Sequence, residues 1–419
     1  MLPEIKLNRS INMPPNMILI LADDLSGAAE LAGIAASRGL KAEVQVTVGP
    51  GLFLKAPSAG LQTEPSSSAD VIAIDTQTRS LSPEAAAAKI RSVYEQAARL
   101  RPEFIYKKTD SVLRGNVRAE LEALAQAVGR ERIIFIPANP SKDRCIRDGR
   151  YFVHDRPLDQ TVFASDPDHP QRCADVVQAL GQVGSCTLRS IRVHETSPPH
   201  GLIIPDAHSQ RDLNGRAGEV DGQTLAAGAA DFFAALLDRW CEQRTLPQRP
   251  NIPTTSPGPA LFVCGSPAAW HQGIRQQAES HGVNVLSLRA KDRRVHEAIA
   301  SLRASGAVMI ALGQPHRPDQ ETASSSQPAA LLEPLIDAAV KIMRQGDIRQ
   351  VFVEGGATAT ALMERMNWSR FEVVPFDLLG VGCLKPIQTD ETPLVFAKPG
   401  SYPWPEGVWK QISKQEIVS

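Results

Sequence analysis

Two adjacent carboxylates, Asp23 and Asp24, stand where an apolar strand pattern gives way to a helix pattern. The segment Leu19–Gly33 reads LILADDLSGAAELAG, in which the acids are followed by a Ser-Gly step and an Ala-rich stretch. A single Asp in this position is explained by capping of the helix N-terminus. A second carboxylate repels the first and is usually tolerated where a cation or substrate hydroxyls compensate. The pair therefore indicates catalysis or binding, with capping as the competing explanation.

A second polar segment, YKKTDSVLRGN, begins at a strand pattern and ends at a helix pattern. It contains Lys108, Asp110, Arg114 and Asn116 within eleven residues. Cations, an acid and an amide suit a polyhydroxy acid, and Arg114 could hold its carboxylate through two parallel hydrogen bonds. Asn116 is also placed to cap the next helix. A solvated loop with ordinary surface charge is the alternative.

The third polar segment, DTQTR at Asp75–Arg79, also follows an apolar run. It adds another acid and another arginine. Because ligands of α/β folds usually sit beyond the carboxyl ends of the strands, the three segments are expected at one edge of a sheet. A surface turn is the competing explanation for this segment.

Glycine-containing turns follow apolar runs in the second half of the chain. FVCGSPAAW contains Gly265 and Ser266, FVEGGATATAL contains Gly355–Thr358, and AKPGSYPWP contains Lys398 and Gly400. Helix N-termini opened by glycines favour phosphate groups. Each turn is also ordinary in an α/β protein, and neither a Walker-type motif nor a convincing dinucleotide fingerprint occurs.

Short apolar runs alternate with helical patterns, and this alternation predicts the elements that position the turns. The predicted strands are Met17–Ala22, Val71–Thr76, Phe104–Lys108, Ile133–Ala138, Leu202–Pro205, Leu261–Cys264, Val283–Leu288, Val308–Leu312, Val351–Glu354 and Leu394–Ala397. Ser82-Pro83 opens a helix, a long amphipathic helix is predicted over Thr224–Gln243, and residues 139–170 are predicted to form a long loop or insertion.

The fold prediction is α/β with two domains, each a mostly parallel sheet flanked by helices. Residues 244–259 are rich in Pro and Thr and lack periodicity, which predicts a linker between residues 1–243 and residues 260–419. The active site is expected in the cleft between the domains, since such clefts commonly bind ligands.

Composition narrows the possible partners. The chain has 419 residues and a formal net charge of -1, so no nucleic-acid or membrane surface is indicated. Its apolar runs are too short for a membrane span. The first sixteen residues lack the apolar core of a secretory leader, and the six cysteines are scattered without a C-x-x-C pair. We expect reduced thiols, no bound structural metal and a cytoplasmic protein.

In their order along the chain, the motifs ADDLSGA, DTQTR, YKKTDSVLRGN, GS, GGAT and AKPG resemble those of the four-carbon acid sugar kinase family. That family includes D-threonate, D-erythronate and 3-oxo-tetronate kinases. The resemblance implies an N-terminal sugar-acid domain, a C-terminal nucleotide domain, and transfer of a phosphoryl group from ATP with Mg²⁺ to the terminal hydroxyl of a short sugar acid. Because phosphoryl transfer needs a group that holds the attacking hydroxyl, we expect catalytic roles for Asp24 and Asp23, with Asp24 favoured for the hydroxyl because it lies nearer the helix start.

The resemblance also assigns binding residues in each half. The sugar-acid residues would be Arg79, Lys108, Asp110, Arg114 and Asn116, and the nucleotide residues Ser266, Gly355, Gly356, Ala357, Thr358 and Gly400. The nucleotide motifs diverge from the family pattern, since Pro-Ala-Ala follows Ser266 and Ser-Tyr-Pro-Trp-Pro follows Gly400.

Two other classes of function are compatible with two α/β domains. A non-catalytic sugar-acid sensor would keep the cleft without turning over ATP, and an NAD-linked oxidoreductase would need a fingerprint that the sequence lacks. A homodimer is a further expectation. Sugar acid and ATP are the expected small-molecule partners.

Overall fold

A computed structural model describes residues 17–47, 69–166, 169–181, 184–242, 258–265, 273–288, 294–312, 328–376, 380–387, 393–400 and 403–413. Its strands are β1 Ile18–Ala22, β2 Ala42–Val46, β3 Val71–Asp75, β4 Phe104–Lys108, β5 Arg132–Ile136, β6 Arg144–Arg147, β7 Arg150–Val153, β8 Arg156–Pro157, β9 Leu188–Ile191, β10 Gly201–Pro205, β11 Thr224–Gly228, β12 Ala260–Cys264, β13 Asn284–Leu288, β14 Ala307–Leu312, β15 Gln350–Glu354, β16 Arg370–Val374, β17 Gly382–Pro386 and β18 Leu394–Lys398.

Helices fill most of the connections. They are α1 Leu25–Ala36, α2 Pro83–Ala97, α3 Val117–Val128, α4 Val176–Ala179, α5 Gln210–Ala217, α6 Ala230–Glu242, α7 Ile274–Ser280, α8 Val295–Ser305, α9 Pro328–Gln345, α10 Gly356–Met366 and α11 Glu406–Ser413. Short 3-10 helices occur at Ala98–Leu100, Pro140–Lys142, Leu158–Gln160 and Val162–Ser165.

Strands from both halves of the chain form one mixed sheet in the order β13-β14-β12-β15-β18-β17-β16-β2-β3-β1-β4-β11-β5-β10-β9. Pairing is parallel on either side of β16 and β17, which confirms the prediction of an α/β fold with a mostly parallel sheet. The pairs β2–β16, β16–β17 and β17–β18 are antiparallel, so the two parallel groups run in opposite directions. The linker predicted at 244–259 lies almost wholly outside the described residues.

The two halves join where β2 pairs with β16. Arg370 pairs with Gln45, Phe371 with Val44 and Glu372 with Glu43. The guanidinium of Arg370 donates to both carboxylate oxygens of Glu43, at 2.7 Å from Nε and 2.9 Å from Nη2. A bidentate arginine–carboxylate pair combines charge with fixed geometry, which favours this register of the junction.

Helix α1 is buried almost completely between the two groups of strands. It contacts β2 and β3 on one side and β16, β17, β18 and α10 on the other. Its small residues allow this close approach: Ala28, Ala29 and Ala32 have no exposed surface, and Gly33 lies near the backbone of Gly382. A helix surrounded in this way must be apolar or small on nearly every face.

A second core covers the other face of β12, β15 and β18. Phe352 stacks between Phe262 and Phe396, with ring centroids 4.5 Å apart in each pair. Trp409 of α11 stacks on Phe262 at 5.0 Å, and Trp404 meets the same ring edge-on. Aromatic burial therefore stabilises the strands that lead into the GS, GGAT and AKPG motifs.

One expectation about local structure is wrong, and the structure decides another that the sequence leaves open. Thr224–Gly228 is a buried strand between β4 and β5, and the helix begins only at Ala230. Tertiary burial decides this segment, since its TLAAG sequence carries no period of its own. The stretch predicted to be a long loop or insertion, residues 139–170, contains the small antiparallel sheet β6–β8 and is therefore an insertion. The strand pattern escaped detection because these strands have two to four residues each.

None of the six cysteines, which all lie in the described ranges, forms a disulfide. Among the described residues, no helix is long and apolar enough to cross a membrane.

We expect Gly382→Ala to lower the free energy of unfolding by about 1–3 kcal/mol, the usual range for overpacking. A Cβ at this position would lie 2.6 Å from Ala29 Cβ and 2.7 Å from the Ala29 carbonyl oxygen. The backbone of a buried helix cannot move aside without disturbing both halves. Urea denaturation would measure the change.

Gly215→Ala provides the matched control. Gly215 lies inside α5, and a Cβ there meets nothing within 4 Å. This change should raise the free energy of unfolding by roughly 0.5–1 kcal/mol, because alanine favours a helix over glycine. Equal effects of the two substitutions would contradict the packing described for α1.

Candidate active site

The three polar segments of the first half converge at one edge of the sheet. Strand β1 lies between β3 and β4, and Ala22 is in register with both Asp75 and Lys108. The residues that follow these strand ends are therefore neighbours. The structure brings together Asp23, Asp24, Arg79, Asp110 and Arg114, as the sequence predicts.

Arg79 is the centre of this acidic cluster. Its Nε lies 2.8 Å from Asp23 Oδ2, and its Nη1 lies 2.9 Å from Asp24 Oδ2 and 3.8 Å from Asp110 Oδ2. Burial alone would lower the pKa of Arg79, but the three carboxylates raise it well above its ordinary value. Gly115 makes room for Arg79, since a Cβ there would lie 3.0 Å from Arg79 Cγ. One guanidinium thus compensates three buried acids.

Asp24 both caps α1 and belongs to the cluster. Its Oδ1 accepts a hydrogen bond from Gly27 N–H at 2.8 Å, and its Oδ2 accepts one from Ser26 Oγ at 2.7 Å. Burial alone would raise the pKa of Asp24, but Arg79, Lys108 and these hydrogen bonds lower it. Asp24 is therefore an ionised carboxylate at neutral pH.

Asp23 has a different environment from Asp24. Its Oδ2 binds Arg79, whereas its Oδ1 is buried and has no hydrogen-bond partner among the described residues. A buried carboxylate oxygen without a donor is costly, and a ligand hydroxyl, water or cation would satisfy it.

Arg114 is held by protein carboxylates. Its Nη2 lies 2.7 Å from Asp110 Oδ2 and its Nη1 lies 3.3 Å from Asp166 Oδ2. Burial alone would raise the pKa of Asp110, but Arg114 and Arg79 hold it well below its ordinary value. Sequence reasoning found Arg114 and Asp110 but gave no sign of Asp166, which lies 52 residues away.

Lys108 and Asn116 occupy the borders of the cluster. Lys108 Nζ lies 3.7 Å from Glu30 Oε2 and donates to the Thr109 carbonyl at 3.0 Å. Asn116 occupies the N-cap position of α3 but makes no capping hydrogen bond. Its Nδ2 donates instead to the carbonyls of Thr78 and Leu81, at 3.0 and 2.7 Å. The capping prediction is wrong because the DTQTR loop competes for the amide.

The turns of the second half also converge. β15 lies between β12 and β18, all three parallel, so the GS, GGAT and AKPG motifs share an edge. Gly265 packs against the buried Thr358 side chain, and Gly355 N–H donates to the Lys398 carbonyl at 3.0 Å. Of the predicted nucleotide residues, Ala357 is exposed and Gly400 half-buried, while Ser266 lies outside the described residues.

A buried ion pair lies directly beneath the GGAT turn. Lys398 Nζ is 3.3 Å from Glu354 Oε1, and both side chains are 1% exposed. Burial raises the pKa of Glu354 to about 7 and lowers the pKa of Lys398. The AKPG motif indicated Lys398 as a candidate, whereas no pattern singled out Glu354, the strand residue before the glycine pair.

The two motif clusters meet at Asp24 and Gly356. Gly356 is the first residue of α10, and a Cβ built on it would lie 2.9 Å from both Cβ and Cγ of Asp24. Any side chain at 356 would displace the Asp24 carboxylate. The glycine therefore permits the N-terminus of α10 to approach the acid cluster.

Comparison with known proteins shows the family to which the chain belongs. Residues 18–236 match the family model described as the sugar-binding N-terminal domain, which covers more than half of the chain. The chain belongs to this family. The matched region contains the whole cluster around Arg79.

Similar curated proteins of this family include kinases of four-carbon acids. The chain is 28% identical over 236 residues to a D-threonate kinase of Salmonella typhimurium and 30% identical over 269 residues to one of Bordetella bronchiseptica. These alignments cover 52% and 62% of the chain, and 53% and 60% of the relatives. A 3-oxo-tetronate kinase of Methylobacterium radiotolerans is 26% identical, with 91% of the chain and 95% of the relative covered. These relatives confirm the resemblance to four-carbon acid sugar kinases.

Solved structures with the same fold cover nearly the whole chain. A Salmonella typhimurium protein gives a TM-score of 0.71 at 16% identity, covering 95% of this chain and 99% of that one. A Haemophilus influenzae protein gives 0.65 at 18% identity with the same coverage. At this identity the comparison shows the fold alone.

The raised pKa of Asp75 predicts how the stability of the protein depends on pH. Its carboxylate has no exposed surface and accepts hydrogen bonds from Gln77 N–H and Thr360 Oγ1, at 3.0 and 3.2 Å. Burial and then the charge of Asp24 raise its pKa to about 7, although these hydrogen bonds and Lys89 lower it. The folded state therefore binds a proton more tightly than the unfolded state.

The stability contributed by Asp75 is present at low pH and falls as the pH rises from about 4 to about 7. Asparagine does not titrate. The free energy of unfolding of Asp75→Asn, relative to that of wild type, should therefore increase from pH 5 to pH 8, by at most about 3 kcal/mol. Urea denaturation at both pH values would measure this. Asp347→Asn, at an exposed carboxylate, is the control and should keep the wild-type pH dependence. If the free energy of unfolding of Asp75→Asn differed from that of wild type by the same amount at both pH values, the raised pKa of Asp75 would be contradicted.

Proposed function

We propose that the chain is an ATP-dependent kinase that phosphorylates the terminal hydroxyl of a four-carbon sugar acid. Residues 1–243 would form the sugar-acid domain and residues 260–419 the nucleotide domain. The observation that carries the proposal is the contact between Asp24 and Gly356. It joins the acid cluster to a glycine-opened helix N-terminus, which is where a phosphoryl donor and a hydroxyl acceptor must meet.

The cations of the cluster suit an anionic, hydroxyl-rich substrate. Arg79, Lys108 and Arg114 surround the acids at the end of the sheet. In this proposal the substrate carboxylate replaces Asp166 on Arg114, since that contact is the longer of the two made by its guanidinium. Asp110 then keeps Arg114 oriented from the other side, and Asn116 holds the neighbouring loop.

The nucleotide would lie along the turns at the ends of β12, β15 and β18. Gly356, Thr358 and Gly400 stand at that edge, and the helix N-terminus favours the phosphates. Mg²⁺ usually takes one or two carboxylates together with substrate phosphates. The unsatisfied Asp23 Oδ1 is a suitable partner for the hydrated ion, which would neutralise phosphate charge. No group of three or more acidic, His or Cys side chains arranged to hold a metal occurs in the described ranges.

Asp24 would orient the attacking hydroxyl. Its lowered pKa makes it a hydrogen-bond acceptor rather than a strong base. Phosphoryl transfer proceeds through a loose transition state in which positioning and charge neutralisation matter more than early deprotonation. An ionised carboxylate next to the GGAT turn, Gly355–Thr358, meets that need, and this turn is called the phosphate turn below.

ADP release measured over a panel of four-carbon acids, with neutral tetritols as the comparison, tests the proposal directly. At least one tetronate or 3-oxo-tetronate should support turnover. Thermal melting separates the other classes: ATP–Mg²⁺ should raise the melting temperature and NAD should not. Binding of an acid without any ADP release would favour a sensor instead.

We expect Asp24→Asn to lower kcat at least ~10²-fold, the lower range for a positioned acid–base group. The fold should persist, because the amide oxygen can still accept the Gly27 N–H bond. Asp238→Asn is the control, since Asp238 is half exposed and its ion pair in the part of the chain that the structure describes is with Arg38 at the surface. A near-normal kcat in Asp24→Asn would contradict the proposal that Asp24 orients the attacking hydroxyl.

Arg114→Lys should lower kcat/KM for the acid by roughly 10- to 100-fold while ATP affinity stays nearly constant. Lysine supplies charge but cannot bond Asp110 and the substrate carboxylate at once in the fixed geometry of a guanidinium, and each bond to a charged group contributes about 1.5–3 kcal/mol. The preference for tetronates over matching tetritols should narrow as well. Steady-state kinetics on both substrate types would measure this. An equal fall for both would show that Arg114 does not recognise the carboxylate.

A further inference from the structure

Helix α10 turns one row of residues toward the sugar-acid half. Gly356, Thr360 and Glu364 are four residues apart, so they lie along a single face of the helix. Gly356 packs against Asp24, and one turn later Thr360 Oγ1 donates to Asp75 Oδ2 at 3.2 Å. Contact therefore continues along the helix beyond the phosphate turn.

Asp75 connects this row to the loop that carries Arg79. Its second oxygen accepts the Gln77 N–H at 3.0 Å, and Gln77 Nε2 reaches Glu364 Oε1 at 3.4 Å. Gln77 has a φ of 51°, a left-handed conformation that is uncommon for a residue with a side chain. Bonds from both sides hold the loop in this conformation.

The surroundings of Asp75 indicate a role other than charge pairing. It makes no salt bridge within the ranges that the structure describes, although its side chain is fully buried. The charged groups that act on it are Asp24, the N-cap residue of α1, and Lys89 on α2, and Glu364 on α10 acts in turn on Lys89. A buried acid without an ion pair is costly, and here its two oxygens join two separate elements.

We propose that Asp75 and Thr360 are positioning residues whose hydrogen bond fixes α10 against the sugar-acid half. The bond lies one helical turn from Gly356, so it sets the separation between the phosphate turn and Asp24. This inference rests on the proposed kinase function. Phosphoryl transfer needs the acceptor close to and in line with the phosphorus, and a misplacement of about 1 Å can reduce the rate ~10²-fold.

Thr360→Val tests the hydrogen bond, because valine keeps the shape and removes the hydroxyl. Thr360→Ser restores the hydroxyl, and Thr187→Val, at an exposed threonine before β9, is the matched control. We expect Thr360→Val to lower kcat about 10- to 100-fold. Dissociation constants for ATP and for the acid, measured separately by calorimetry, should change less than about twofold. Thr360→Ser should recover most of kcat, and Thr187→Val should match wild type.

Hydrogen exchange gives a readout that does not need turnover. Thr360→Val should speed exchange in both α10 and the 75–79 loop, since each loses its tie to the other. Unchanged exchange, an unchanged kcat, or a fall in ATP affinity equal to the fall in kcat would overturn the proposal. A failure of Thr360→Ser to recover activity would do so too. Absence of wild-type ADP release over the whole panel would instead refute the kinase function, while hydrogen exchange still reports on the contact.

Discussion

The burial of helix α1 between the two groups of strands is the constraint on which the site depends. Its alanines and glycines let β17 approach so closely that a Cβ at Gly382 would collide with Ala29. The same packing places α10 next to α1. Because Asp24 caps α1 and Gly356 begins α10, bringing the two helices together also brings the two motif clusters together.

Electrostatics then divides the buried carboxylates into two kinds. Asp24 and Asp110 lie against Arg79 and Arg114, and their pKa values are lowered. Asp75 has only neutral donors within hydrogen-bonding distance among the described residues, and its pKa is raised to about 7. Asp24 and Asp110 are therefore suited to accept hydrogen bonds as charged groups. Asp75 is suited to connect two elements through hydrogen bonds.

Local pattern predicted much of the framework. The strands β1, β3, β4, β12 and β15 follow the apolar runs to within one or two residues, because a strand buried on both faces needs a continuous apolar sequence. The pattern failed at Thr224–Gly228, where a strand of small residues resembles the helix that follows it. It also gave no sign of β2 and β16, whose mixed sequences AEVQV and RFEVV become strands by pairing with each other and with β3 and β17.

The sequence by itself determined the α/β class and the placement of polar motifs at strand ends, because both follow from short-range patterns. It also determined the family resemblance, which depends on the order of those motifs. Tertiary structure alone decided that Arg79 compensates three acids, that Asp166 reaches Arg114, and that Asp75 bonds Thr360, 285 residues further along the chain. Such contacts depend on how α1 packs and how the antiparallel strands join the halves. No local period encodes the distance between two segments that meet only after the whole sheet has formed.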